Sequence, residues 1–368
     1  MLTIKATRDT LFKPLQAVTG IVERRHTFPI LSNVLIELRN SQLSFLATDT
    51  EIQIQTHTKI EKEENDGSMT LSAKKLQDIL RALPDNVDVA LEEKENRVVL
   101  KTGKSRFNLQ SLPAEDFPKI ESNRSVVTKI QLSQKALKQS LGLVQFSMAV
   151  QDIRYYLNGL LFAVNQDSLV LVGTDGHRLA YSSTALAAPS LKHDIILPRK
   201  TVNELFKLLE ETDELVDIEF RENQVAFSFS GVEIISKVVD GKFPDYTKVI
   251  PTGYAKKIRL PRTVLQQALQ RAAILSNEKV RGVRLMIQNE TLSIICSNNE
   301  QEEAQEELTI DYNGEPLDIG FNITYLLDVL THTHSEEIEI SFGDVNSSAL
   351  FTIPGNNDFK YVVMPMRI

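Results

Sequence analysis

Tryptophan is absent from this chain, and Cys296 is the one cysteine among 368 residues. A lone cysteine excludes a disulfide within the chain and any zinc site built from several thiolates. No apolar run approaches the roughly 20 residues that cross a bilayer, and the first residues, MLTIKATRDTLFK, carry charge where a signal peptide has its apolar centre. The sequence therefore predicts a cytoplasmic protein with no membrane partner.

The usual signatures of nucleotide and metal binding are also missing. Residues 102–105 read TGKS, like the end of a phosphate-binding loop, but that motif needs a glycine five residues before Gly103, where Val98 stands. His332 and His334 are two residues apart, which places them on different faces of a helix and argues against a shared metal. We therefore expect no cofactor and no metal.

One acidic residue and one histidine leave an enzymatic alternative open. Asp175 and His177, in the sequence Asp-Gly-His-Arg, could form half of an acid–base arrangement. No partnered nucleophile or glycine elbow accompanies them, and Asp-Gly more often makes a tight turn. A hydrolase-type enzyme that uses Asp175 and His177 on a repeat scaffold is thus the alternative hypothesis.

What the chain does contain is a threefold repeat of about 125 residues. Leu11, Leu15, Thr48, Asp49, Phe117 and Pro118 recur 126 positions later as Leu137, Leu141, Thr174, Asp175, Phe243 and Pro244. A third copy follows less tightly, since Leu265 and Leu269 lie 128 positions after Leu137 and Leu141. The repeat predicts three domains, at 1–124, 127–253 and 255–368, with linkers near 121–126 and 250–257.

Each repeat divides into two halves that begin alike. An apolar helical spacing, as in Leu76, Ile79, Leu80 and Leu83, is followed by runs of period two such as 87–91. One helix followed by several short antiparallel strands predicts an α+β fold, with two helices on antiparallel sheet in each domain.

Charge is divided unevenly between the predicted helices and the rest of the chain. The six helices (8–25, 72–83, 133–147, 198–211, 261–275 and 322–334) carry 14 Lys and Arg against 7 Asp and Glu, which leaves 27 basic and 42 acidic residues elsewhere. If the helices share one surface, that surface attracts phosphate although the whole chain has a net charge of -8. The alternative is that small helices carry scattered basic residues.

Two stretches indicate binding to other proteins. The chain ends in the apolar sequence YVVMPMRI, whereas free termini are usually polar, so we expect it to dock. Its methionines suit a surface that accepts several partners, unless they only complete the last sheet. The acidic run at 300–307 and the basic residues Lys101, Lys104 and Arg106 lie in different repeats, which favours head-to-tail association.

Seven strings carry a family resemblance along the whole chain: FPILSN (28–33), QDIRYYLNG (151–159), TDGHRLA (174–180), VDGKFPDY (239–246), ILSNEKVRGVRL (274–285), GFNITYLLDVL (320–330) and YVVMPMRI (361–368). The chain resembles the bacterial DNA polymerase III β subunits, the sliding clamps. The resemblance implies three similar domains arranged as a half ring. Two chains would then form a head-to-tail ring with twelve helices lining the hole and the sheets outside.

The resemblance also implies site residues. Arg25 and Gln151 would approach DNA, with Tyr155 and Tyr156 as further neighbours. A peptide-binding groove would contain Leu157, Thr174, Gly176, His177, Arg178, Leu179, Pro244, Lys248, Val249, Asn322, Tyr325, Ser348, Val362, Met364, Pro365, Met366 and Arg367. Lys248 stands where well-known family members carry arginine, so a bidentate contact is lost there.

The implied dimer interface has a basic edge and an acidic edge. Lys75, Arg97, Lys104, Arg106, Phe107 and Leu109 would face Ile274, Leu275, Glu302, Glu303 and Glu306 of another copy. Gln305 replaces a frequent acid and weakens one expected ion pair.

The partners implied are duplex DNA bound without sequence preference, a second copy of the chain, the replicative DNA polymerase, a clamp loader and other proteins that carry short clamp-binding peptides. The chain itself would be a non-catalytic processivity factor. A scaffold that binds proteins without DNA is a third possibility, but it does not explain the basic helices.

Overall fold

A computed structural model describes residues 2–23, 28–60, 66–121 and 125–367. Within them lie six α-helices: α1 (Arg8–Thr19), α2 (Ala73–Ala82), α3 (Gln134–Val144), α4 (Arg199–Leu208), α5 (Arg262–Ala273) and α6 (Ile323–His332). None of the helices in these ranges is long and apolar enough to cross a membrane. The same ranges contain no group of three or more His, Cys, Asp or Glu residues that could hold a metal ion.

Short strands make up most of the remaining described residues. The strands are β1 (Thr3–Thr7), β2 (Asn33–Arg39), β3 (Gln42–Thr48), β4 (Ile52–Lys59), β5 (Gly67–Ser72), β6 (Asp88–Lys94), β7 (Arg97–Thr102), β8 (Ser105–Gln110), β9 (Val126–Ser133), β10 (Gly159–Val164), β11 (Ser168–Thr174), β12 (Arg178–Ala185), β13 (His193–Pro198), β14 (Leu215–Arg221), β15 (Gln224–Phe229), β16 (Val232–Lys237), β17 (Lys256–Pro261), β18 (Gly282–Gln288), β19 (Thr291–Ser297), β20 (Glu303–Thr309), β21 (Leu317–Asn322), β22 (Glu337–Phe342), β23 (Ala349–Ile353) and β24 (Asn356–Val363). Their pairings are antiparallel, which confirms the predicted α+β class.

The helices follow the predicted apolar spacing, but they end earlier than expected. In α2, Leu76 and Leu80 are fully buried, and the Ser72 hydroxyl caps the first turn by accepting from the Lys75 amide. The prediction for the first helix ran to residue 25, whereas α1 ends at Thr19 and Gly20 follows as its C-cap. The six observed helices carry 12 Lys and Arg against 4 Asp and Glu, so the basic character of the helices is stronger than predicted.

A repeated contact joins the two helices of a predicted domain. Arg8 begins α1, and its Nε donates to the Leu80 carbonyl of α2 at 2.8 Å. Arg262 begins α5 in the same way, and its Nη1 donates to the Leu330 carbonyl of α6 at 2.7 Å. A cation at these carbonyls satisfies groups that the helix leaves unpaired and interacts favourably with the helix dipole.

The strands form four sheets in two compact units. The first unit (Met1–Lys135 with Asn203–Val238) contains the sheets β1-β6-β7-β8 and β5-β2-β3-β4-β16-β15-β14-β9. The second (Ala136–Val202 with Val239–Ile368) contains β13-β10-β11-β12-β24-β23-β22-β17 and β20-β19-β18-β21. Each unit therefore has one eight-stranded sheet and one four-stranded sheet.

Each eight-stranded sheet is two four-stranded halves joined at one strand pair. In the first unit β4 pairs with β16, and in the second β12 pairs with β24. Both pairs join strands of successive sequence repeats, so the compact units cut across the predicted middle domain. The domain boundaries at 1–124, 127–253 and 255–368 stay a prediction.

Candidate functional site

A cavity of about 460 Å³ opens in the second unit beside the β12–β24 pair. Twelve of the predicted groove residues line it: Leu157, Thr174, Gly176, His177, Arg178, Leu179, Pro244, Lys248, Val249, Ser348, Val362 and Met364. Arg154, Tyr156, Phe243 and Tyr246 also line it, and among them only Tyr156 was assigned a role from the sequence, near DNA.

The cavity lies over an apolar cluster. Leu179, Phe243 and Val362 belong both to its wall and to the buried cluster below it, and Tyr156 and Tyr246 pack against that cluster. Apolar walls with a few polar groups at the rim are typical of sites that accept apolar side chains.

The turn before β12 uses the Asp175 carboxylate structurally. Its Oδ1 accepts from the backbone amides of His177 at 2.9 Å and Arg178 at 3.1 Å, and its Oδ2 accepts from the Arg178 side chain. Gly176 has a φ of +90°, a conformation that favours glycine. Asp175 thus makes the tight turn that Asp-Gly indicated, and the enzymatic alternative gains no support from this geometry.

Arg178 is anchored from three sides. Its Nε donates to Asp175, its Nη2 to the Phe146 carbonyl at 2.8 Å, and its Nη1 to Asp328 of α6. The guanidinium lies 4.5 Å from the ring centroid of Tyr325. Its side chain is 9% exposed. We therefore assign it to positioning the groove wall.

Two tyrosines lie behind this arginine. The hydroxyl of Tyr361, which is fully buried, donates to the Tyr325 carbonyl at 2.9 Å. Burial raises the pKa of Tyr361 well above its usual range, so the phenol stays neutral. Burial opposes the charge of Arg178, but the carboxylates of Asp328 and Asp175 outweigh it and raise the pKa of Arg178. Tyr325 contacts Arg178, which lines the cavity, but Tyr325 itself is not part of the cavity wall.

Arg154 was missed by the sequence reasoning. It grips Asp152 through Nε at 3.0 Å and Nη2 at 2.8 Å, and Nη2 also reaches the Asp175 carbonyl at 3.1 Å. These hydrogen bonds lower the pKa of Asp152 to about 2, so the pair stays charged at neutral pH. The contact between Arg154 and the Asp175 carbonyl joins residues 21 positions apart in the chain, so no local motif signals it.

The C-terminal segment is held after β24 ends at Val363. The Met364 amide donates to the His177 carbonyl, and the Met366 amide donates to the Gly320 carbonyl, both at 2.9 Å. The apolar tail is therefore docked as expected. Five predicted groove residues lie outside the cavity wall: Asn322, which caps α6 through its side chain, Tyr325, Pro365, Met366 and Arg367.

The residues predicted to approach DNA are partly described. Gln151 is exposed with a φ of +55°, and Tyr155 is 57% exposed. The rings of Tyr155 and Tyr156 meet edge to face at 5.9 Å, and Tyr156 also forms part of the cavity wall. Arg25 lies outside the described residues.

The predicted interface residues lie at two sheet edges and nearby helix ends. In the first unit Phe107 and Leu109 are half-buried on edge strand β8, and Lys104, Arg106, Lys75 and Arg97 are exposed. In the second unit Glu302 and Glu303 are exposed at edge strand β20, Leu275 is half-buried, and Ile274 is 78% exposed at the end of α5.

Glu306 on β20 already has a basic partner within its own chain, and its expected contact with a basic residue of another copy stays a prediction. Within its own chain it accepts from Arg271 Nε at 2.8 Å and Nη2 at 2.6 Å. This arginine accounts for the lowered pKa of Glu306.

Family models match three successive parts of the chain. Residues 2–121 match the N-terminal domain of the DNA polymerase III β subunit, residues 131–245 its central domain and residues 247–367 its C-terminal domain. The matches cover most of the chain.

Known proteins agree with these matches over their full length. The chain is 44% identical to the β sliding clamp of Pseudomonas putida and 40% identical to that of Escherichia coli, with 98% of each chain covered. It is similar to the Pseudomonas aeruginosa sliding clamp crystallised with griselimycin (TM-score 0.97, 44% identity, 100% of both chains). In a Caulobacter crescentus clamp (TM-score 0.94, 38% identity, 100% and 99% covered), polyethylene glycol occupies what is described as the β-motif tethering region.

The buried position of Arg178 yields a stability prediction. We expect Arg178→Gln to leave Asp328 and the Phe146 carbonyl without their donor and to lower the unfolding temperature by about 5 °C or more. Differential scanning calorimetry checks this. Arg154→Gln is the matched control, because that guanidinium is exposed and its loss should cost about 1 °C or less. Equal shifts for the two variants would contradict the assigned role of Arg178.

Proposed function

The chain belongs to the family of DNA polymerase III β subunits, the β sliding clamps, and we propose that two copies close head to tail into a ring around duplex DNA. Family membership confirms the predicted clamp fold and the prediction of a non-catalytic polymerase subunit. The ring, its DNA and its partner groove are the proposal.

One observation carries the ring proposal. The chain joins four-stranded half-sheets at two places, β4–β16 and β12–β24. Two four-stranded sheets, β1-β6-β7-β8 and β20-β19-β18-β21, are joined to no other half-sheet, and among the described strands none pairs with the free edges of β8 and β20. These edges expose unpaired backbone groups. In strand order β8 corresponds to β16 and β24, and β20 corresponds to β4 and β12. A β8–β20 pair between copies completes the series.

The joined sheets also supply the register of the missing pair. β8 pairs with β7 as β16 pairs with β15, and Arg106 of β8 corresponds to Glu233 of β16. β20 pairs with β19 as β4 pairs with β3, and Gln305 of β20 corresponds to Gln55 of β4. Glu233 lies opposite Gln55 in the first unit. Arg106 of one copy would therefore lie opposite Gln305 of the other.

The register gives the half-buried aromatic residue of the edge a partner. Phe107 stands in the place of Ile234, which is fully buried where β16 meets β4. Ala304 stands in the place of Ile54, which is also fully buried. Closure would bury Phe107 against Ala304 and supply the hydrophobic part of the contact.

Charges of opposite sign flank the apolar centre of this junction. Lys104 and Arg106 lie at one open edge, and Glu303 and Glu307 at the other. The internal β4–β16 pair is likewise flanked by an ion pair, between Lys237 and Glu51 at 3.0 Å. Opposite charges steer the two edges together and suppress pairing of like edges.

Retention on DNA then follows from closure. The observed helices have a net basic charge within an acidic chain, so a surface built from them attracts phosphate without reading bases. Loose phosphate contacts allow sliding, while the closed ring prevents escape.

The cavity in the second unit supports the tethering of partners. Its apolar floor fits aliphatic or aromatic side chains of a short linear peptide, and His177 and Lys248 at the wall offer polar contacts. We include the replicative polymerase and the clamp loader among these partners, and assign Pro365, Met366 and Arg367 to the rim.

A cysteine pair tests the register. Arg106→Cys combined with Gln305→Cys should give a disulfide-linked dimer under mild oxidation, because directly opposed residues lie within disulfide range. Non-reducing electrophoresis measures the product. Arg106→Cys with Glu303→Cys is the control, displaced by two residues, and should link at least about fivefold less. Preferential linking of the control pair would overturn the register.

Topology tests the ring itself. Protein loaded onto closed circular DNA should stay bound at high salt, whereas linear DNA should lose it from its ends, because screening weakens phosphate contacts but does not open the ring. Gel filtration of labelled complexes measures retention. A variant with Ile274→Ala and Leu275→Lys should be monomeric and retained on neither DNA. Equal loss of the unchanged protein from both DNAs would mean ordinary electrostatic binding.

Truncation tests the groove. Removal of residues 364–368 should weaken binding of a polymerase-derived peptide at least about tenfold, because Met364 leaves the cavity wall. Fluorescence anisotropy measures the affinity, and sedimentation should show an intact dimer. Leu215→Ala, an exposed apolar residue of the first unit, is the control and should bind normally. Undiminished affinity after truncation would remove the groove from the proposal.

A further inference from the structure

A carboxylate occupies the same place in the second helix of every repeat. Asp78, Glu204 and Asp328 are each the sixth residue of a ten-residue helix, in α2, α4 and α6. The first helices have a matching place near their ends, at the thirteenth position from the helix start. Gly20, Phe146 and Ile274 stand there.

Where the chain joins β4 to β16, these two places meet. A Cβ added to Gly20 would lie 2.1 Å from Glu204 Oε2, so the carboxylate lies directly against the Gly20 backbone. Glu204 is only 6% exposed and is bonded by Lys207 at 2.7 Å. The buried carboxylate of one repeat is thus in contact with the end of the first helix of the preceding repeat.

Where the chain joins β12 to β24, the same places meet through an arginine. Arg178 donates to Asp328 and to the Phe146 carbonyl, and so links the sixth position of α6 to the thirteenth position of the α3 segment. The Phe146 ring also stacks on His332 of α6 at 4.3 Å. Both internal junctions therefore bury or bind this carboxylate.

Asp78 is the carboxylate that no internal junction covers. Its side chain is 48% exposed, and its ion pairs are with Lys74 and Arg81 of the same helix. The equivalent of Gly20 and Phe146 that no internal junction uses is Ile274, which is 78% exposed. The repetition leaves one carboxylate and one helix end for the contact between copies.

Building on the proposed ring, we propose that Asp78 of one copy pairs with Arg271 of the other. Arg271 lies three residues before Ile274 on α5, so the two side chains share one face of the helix. Glu306 occupies its Nε and Nη2, and the described residues offer no hydrogen-bond partner for its Nη1. A guanidinium can serve two carboxylates at once.

Charge exchange tests this pair in the full-length protein. Asp78→Arg and Arg271→Glu should each weaken dimer association about fivefold per junction, and the double variant should recover to within about twofold of the unchanged protein. Sedimentation equilibrium at low and physiological salt measures the dissociation constant. Asp85→Arg is the matched control, because Asp85 is 80% exposed at a place that neither junction pattern uses. It should not rescue Arg271→Glu.

The outcomes separate this pair from the ring. Additive losses in the double variant, or rescue by Asp85→Arg, would show that Asp78 and Arg271 do not meet, while a monomeric Ile274→Ala, Leu275→Lys variant would still support the ring. If the Ile274→Ala, Leu275→Lys variant also remains a dimer, both the pair and the proposed interface are overturned.

Discussion

Edge strands expose unpaired backbone groups, and the joining of such edges in matched pairs relates the half-sheets of this chain to one another. Four-stranded half-sheets end in edges that the chain pairs in two places, β4 with β16 and β12 with β24. The counterparts of these strands in the two four-stranded sheets, β8 and β20, carry half-buried apolar residues and charges of opposite sign. A chain that joins this kind of edge at two places and leaves the third matching pair unjoined is suited to associate with itself in one direction.

Apolar and charged side chains occupy different positions at these junctions. Internal pairs rely on buried side chains such as Ile234 and Tyr361, which water cannot reach. Ion pairs flank these apolar centres, as Lys237 with Glu51 and Arg178 with Asp328. The open edges β8 and β20 carry charges of opposite sign too, whose attraction is weaker in salt and whose desolvation is costly. In the proposed ring, the junction between copies would thus share both the strand geometry and the flanking charges of the internal ones.

Periodicity and repetition were sufficient to predict the α+β class, the six helices and their basic character, because these depend on local spacing. The end of α1 at Thr19 was harder to predict, since Gly20 interrupts a pattern that continues beyond it. The partners of Arg154 and Glu306 could not be predicted, because Asp175 and Arg271 approach them only through the folded chain. Most of the cavity wall came from the family resemblance, whereas Phe243 and Tyr246 required the coordinates.

The cavity lies over the β12–β24 pair, which belongs to one continuous polypeptide, and none of the residues that line it belongs to β8 or β20. In the proposed ring, a partner bound in the cavity would contact a strand pair that stays joined when the two copies separate. Partner binding and ring opening would then use different strand pairs. A clamp loader would therefore be able to stay bound to one copy while DNA passes between the two.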